Sequence, residues 1–130
     1  MRPLVADYFG RNLMTYALLV IEPPGQRSTR TEAEGHEVYG RMVRFSEELK
    51  QRGLLTISQS LKTGASDARV KVNADSVMIT DGPFTEVKEV IGGFFLLTCE
   101  TREQALEIAR ECPAAQWATI EVRELGPCFA

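Results

Sequence analysis

The sequence predicts an α+β domain. Three observations carry that expectation: apolar runs of strand length cut off by Pro and Gly, two stretches of helical periodicity that each open on a Thr-x-x-Glu/Gln spacing, and an order that alternates strand and helix with extra β material between the halves. At 130 residues the chain has the size of one domain, enough for a single core. Its 44% hydrophobic and 25% charged content is that of globular proteins and argues against a disordered or fibrous class.

Residues 15–21, Thr-Tyr-Ala-Leu-Leu-Val-Ile, read as a buried strand that stops at Glu22-Pro23-Pro24-Gly25, because proline lacks the amide donor a ladder needs. Thr31 and Glu34 have the spacing of a capping box, so Thr31 is the expected start of a helix. Val38, Met42, Phe45 and Leu49 recur every three or four residues and give that helix its apolar face. Gly53 supplies the left-handed position that ends it, and residues 54–61 run back as a strand.

Val70 and Val72, the turn formers Asn73-Ala74-Asp75, then Val77, Met78 and Ile79 make the pattern of a hairpin over 69–80. A turn at Asp81-Gly82-Pro83 and a polar stretch, 85–89, lead to Gly92-Gly93 and the apolar run 94–98, expected as a central strand. Thr101 and Gln104 repeat the capping spacing, Ala105, Leu106, Ile108, Ala109 and Cys112 supply an apolar face, and Pro113 ends a second helix over 103–111. Ala118, Ile120 and Val122 alternate with Thr119, Glu121 and Arg123, as in a strand with one face in water.

The economical packing of this order is a ferredoxin-like split β-α-β sandwich, with both helices on one face of the sheet and the hairpin inserted. The other face is then bare, and pairing two sheets in a symmetric homodimer is the simplest cover for it.

The net charge is −3 and the basic residues are scattered among acids, which argues against a nucleic-acid-binding face. The apolar stretches are too short to span a membrane. Residues 1–13 lack the continuous apolar core of a secretory signal, so a cytoplasmic location is expected. Cys99, Cys112 and Cys128 form an odd set without Cys-x-x-Cys spacing, and His36 is the single histidine. Reduced thiols and no metal are expected, and nothing in the chain calls for a cofactor.

Asp81-Gly82-Pro83-Phe84-Thr85-Glu86-Val87-Lys88-Glu89, followed by Ile91-Gly92-Gly93-Phe94-Phe95, resembles the signature of the DGPF branch of the YCII-related family. Cys112-Pro113-Ala114-Ala115 and Ile120-Glu121-Val122-Arg123 resemble that family's C-terminal half. The resemblance places the domain at 14–125, with 1–13 as an N-terminal extension and 126–130 as a tail. It implies a dimeric α+β-barrel-like assembly and an association with extracytoplasmic-function sigma factors, and leaves open whether the protein is an enzyme. Members outside this branch are thought to use a His in the first helix and an Asp near its end. An ungapped placement anchored on Gly53 sets Arg41 and Gln51 there, and a guanidinium cannot do the acid/base work of an imidazole.

Two readings of the DGPF turn stand side by side. In one it is structural: Asp81 accepts an amide, Gly82 takes positive φ, Pro83 fixes its own φ and Phe84 anchors the loop. In the other, Asp81 is a general base, or an anchor for a cationic group, in a cleft that binds a small polar metabolite. There Glu86, Lys88, His36 and Phe84 are candidate binding residues, and any chemistry is cofactor-free proton transfer or elimination. A non-catalytic regulatory module, acting through a protein partner, is the alternative function class.

Overall fold

A strand at Leu4–Ala6 (β1) pairs antiparallel with the start of a long second strand, Asn12–Glu22 (β2). The computed structural model describes residues 4–6, 12–64, 66–84 and 86–129, with 4–6 and 12 described by backbone alone. Most of the expected N-terminal extension, as well as Thr85 of the DGPF segment and Ala130 of the tail, lies outside the described residues.

After a 3-10 turn at Arg27–Thr29, helix α1 spans Glu32–Gln51. Its start is the predicted capping box: Thr31 accepts from the Glu34 amide at 3.1 Å, and Glu34 accepts from the Thr31 amide at 3.0 Å. At its end Gly53 sits at φ 73°. The Gly53 amide bonds to Lys50 O and the Leu54 amide to Leu49 O, a Schellman motif that satisfies two carbonyls the helix leaves over.

The chain continues through β3, Leu55–Ser60, and the hairpin strands β4, Ala68–Asn73, and β5, Ser76–Asp81. Then come β6, Val90–Cys99, helix α2, Arg102–Glu111, a 3-10 turn at Pro113–Gln116, and β7, Thr119–Glu124. Thr101 caps α2 through the Gln104 amide, but Gln104 reaches one residue further back, to the Glu100 amide at 2.9 Å. The spacing predicted a reciprocal box; the Gln104 side chain closes on the strand end instead.

Antiparallel pairing joins β6 to β2 and to β3, while β7 and β1 line the remaining edge of β2. The main sheet thus runs β7, β2, β6, β3, and the hairpin forms its own two-stranded sheet. Register puts Leu18 opposite both Phe95 and Val122, and Tyr16 opposite Leu97. Side chains alternate across a strand, so Tyr16, Leu18, Val20, Phe95, Leu97 and Cys99 share one buried face. Phe45 and Leu49 of α1 and Ala105, Ile108 and Ala109 of α2 pack on it. Phe45 meets Phe95 edge to face, centroids 5.4 Å apart.

Ala17, Leu19, Phe94 and Leu96 alternate onto the opposite face, where they are half-buried and stand outside the core cluster, beside the exposed Ile57. In the hairpin every residue of both strands is exposed.

Candidate functional site

The core-facing period of β2 runs Tyr16, Leu18, Val20 and then Glu22, a carboxylate at a position that should be apolar. Glu22 is buried, 5% exposed, and a buried charge needs a partner. Arg27, placed by the turn after Pro23-Pro24, supplies it: Nε lies 2.8 Å from Glu22 Oε1. The same guanidinium donates through Nη1 to Leu61 O at 2.6 Å and through Nη2 to Gly92 O at 2.8 Å. Arg27 therefore ties β2, the exit of β3 and β6 together with the planar donor fork that only arginine offers.

Gly92 makes room for that pair. A Cβ there would stand 2.6 Å from Glu22 Cδ and 2.7 Å from Arg27 Nη2, and one on Gly93 would stand 2.9 Å from Gln59 O. The register of β2 against β6 shifts beside this point, Val20 opposing Gly93 and Ile21 opposing Ile91. Gly92 is the extra residue of a β-bulge.

Above this pair, between α1 and the sheet, lies a cavity of about 320 Å³. Its apolar wall includes Val20, Val38, Met42 and Phe95, and its charged lining residues are Glu22, Arg27 and Arg30. Ser46 of α1 and Ser58 of β3 also line it, their hydroxyls 2.9 Å apart. Two hydroxyls sharing one mutual bond retain one O–H for another acceptor.

Trp117, which follows the second 3-10 turn, closes one side. Gln26 Nε2 holds its carbonyl at 2.7 Å, and Gln26 Oε1 lies 3.4 Å from Arg30 Nη2. The guanidinium carbons of Arg30 and Arg41 stand 5.7 and 5.1 Å from the Trp117 ring centroid, within cation-π range. On the far side of Glu22 and Trp117 lies a more open depression of about 380 Å³, bordered by Lys88 and Glu89.

The residues singled out in the sequence lie elsewhere. Asp81 ends β5 and is exposed. Phe84 sits under the Arg69 guanidinium at 3.9 Å, and Glu86 lies 3.7 Å from Arg69. These three residues cluster at the base of the hairpin and do not line the cavity. His36, on α1, is 3.8 Å from Glu32 with its ring 80% exposed. Lys88 borders the second depression.

Gly82 does not take the positive φ expected of it. It is confined instead by the loop before β4: its amide donates to Asp67 O at 2.6 Å, and a Cβ would stand 2.9 Å from Asp67 Cβ. Space, not backbone conformation, accounts for glycine there. Among the described residues no group of three or more His, Cys, Asp or Glu is gathered to hold a metal ion, and no helix is long and apolar enough to cross a membrane.

The profile of the YCII-related domain matches residues 14–128. This chain belongs to the YCII-related family. It is similar to the uncharacterized protein R00369 of Rhizobium meliloti (strain 1021), 29% identical over 115 residues that cover 87% of this chain and 93% of the relative. In this YCII-related protein Arg41 points its charge at Trp117 and donates to Gln116 Oε1 at 3.2 Å. The residues that the sequence reading missed are Glu22, Arg27, Arg30, Ser46 and Ser58. Glu22 had left a signal, as the acid that continues an otherwise apolar alternation.

Proposed function

We propose that the protein binds a small metabolite in the cavity between α1 and the sheet. The observation that carries this reading is a concave, mainly apolar space into which a hydroxyl pair and an arginine converge, the usual make-up of a small-molecule site. Binding, not nucleophilic catalysis, is the function it supports: no imidazole stands beside Ser46 or Ser58, and the one carboxylate in the wall is held by Arg27. A thermal-shift screen of wild type, Ser46→Leu and Asp81→Asn against a metabolite library tests the reading. A ligand at about 100 times its Kd adds roughly 2.7 kcal/mol. The shift should persist in Asp81→Asn and vanish in Ser46→Leu, whose side chain fills the cavity. A shift lost in Asp81→Asn alone would move the site to the DGPF turn.

The same reading takes the sheet as ferredoxin-like and the protein as a two-fold homodimer. The strand order β7, β2, β6, β3 and its antiparallel pairing support the first. Two uncovered apolar surfaces on one chain support the second. Val70, Val72, Val77 and Ile79, all on one face of the hairpin and each more than 60% exposed, present a patch on the order of 400 Å², a size that marks interaction surfaces. Together with the Leu19, Phe94 and Leu96 face, and counted on both copies, this approaches the roughly 1,200–2,000 Å² of a stable interface. Light scattering after size exclusion should give twice the chain mass; a monomer at every concentration would refute the dimer.

A further inference from the structure

We infer that the ligand of this cavity is a small organic carboxylate with an apolar body, held through its anionic group by Arg30; the inference rests on the cavity reading above. The charges in the wall lead to it. Glu22 and Arg27 cancel, and the Arg27 guanidinium is committed through Nε, Nη1 and Nη2 to Glu22, Leu61 and Gly92. Arg30 is the remaining cation of the lining. Its hydrogen bond to Gln26 Oε1, at 3.4 Å, is at the limit of such bonds. Glu34, which accepts from the Thr31 amide and is not part of the lining, feels the Arg30 charge and offsets it only from outside the cavity.

The lining thus carries one net positive charge, and Arg41, 5.1 Å from the Trp117 ring centroid, adds a second nearby. A neutral or cationic ligand leaves that charge unanswered, whereas one carboxylate answers it and matches the two-donor edge of a guanidinium. Val20, Val38, Met42 and Phe95 take the apolar body, and the spare Ser46 or Ser58 hydroxyl offers a donor at the α1–β3 wall. At about 320 Å³ the cavity lies at the small end of ligand sites, a size suited to a ligand on the scale of a benzoate. Gln26 holds the Trp117 carbonyl, at the side of the cavity that Trp117 closes.

Benzoate, benzamide and benzylamine, matched in shape and different in charge, are titrated by NMR into the full chain as wild type, Arg30→Gln, Arg30→Lys and Ser46→Leu. Benzoate should bind at least tenfold more tightly than benzamide, and benzylamine most weakly. Arg30→Gln should remove the preference for benzoate over benzamide, and Arg30→Lys should keep most of it. Ser46→Leu should abolish binding of all three. Equal affinities that Ser46→Leu still abolishes would overturn the carboxylate assignment and leave the cavity standing. No saturable binding of any probe, or binding indifferent to Ser46→Leu, would overturn both.

Discussion

Glu22 and Arg27 meet at 2.8 Å across the mouth of a β-bulge, with the Glu22 side chain 6% exposed and the Arg27 side chain 34% exposed. The pair is at once a latch between strands and the floor of the cavity. Removing one partner of a buried pair costs more than the pair contributes, since it leaves a charge unanswered in a poor solvent for ions. Arg27→Ala should therefore lower stability by about 3 kcal/mol, the low end for such pairs because the guanidinium is partly in water. Urea denaturation measures it. Arg27→Lys should recover little, one ammonium being unable to serve Glu22, Leu61 and Gly92 together.

Glycines in and around this site should respond in opposite directions. Gly92→Ala forces Glu22 and Arg27 apart and should cost about 1–3 kcal/mol. Gly35→Ala, in the first turns of α1 with nothing within 4 Å of the new Cβ, should stabilise by about 1 kcal/mol through helix propensity. Thermal melts of the two variants side by side test the contrast.

The start of α1 should be sensitive to pH. The Thr31 amide, by its hydrogen bond, holds the Glu34 carboxyl below its usual value, helped by the Thr31 side chain and the Arg30 charge. A carboxyl lowered in the folded state contributes stability above the ordinary carboxylate pKa, and that contribution is lost as pH falls through the lowered folded value. Below about pH 4.5, the ordinary value of a Glu carboxyl, wild type should lose stability that Glu34→Gln has no means of losing. Thr31→Ala should cost about 1 kcal/mol at neutral pH.

Thiol chemistry should single out one cysteine. Burial pushes the Cys99 thiol up to about 11 and raises that of Cys112, while Cys128 is exposed. Only the thiolate reacts with a disulfide reagent. One rapid equivalent should be titrated in the native protein and three after unfolding, and Cys128→Ser should remove the rapid one.

Much of the fold was legible because period and punctuation are local. Thr31 with Glu34, Gly53, and the apolar run 15–21 cut off by Pro23-Pro24 each declare an element by local pattern alone. The site was not, because its parts come from five stretches that only the fold assembles: Glu22, Arg27 with Arg30, Ser46, Ser58 and Trp117. The DGPF motif drew attention by its density of turn formers. Its glycine turned out to answer to Asp67, a neighbour no local pattern names.

The hairpin has a consequence beyond any contact of its faces. In a sheet of two strands both are edges, so β4 and β5 each leave an outer row of amides and carbonyls without a ladder partner. The window Ser76–Asp81 holds Val77, Met78 and Ile79, has no proline and carries a charge only at its last residue, a composition prone to cross-β stacking. Arg69, Lys71 and Asp81 are the charges that stand guard over it. Colloidal behaviour therefore depends on these three side chains, and neutralising Lys71 should bring turbidity on concentration well before it alters the folded core.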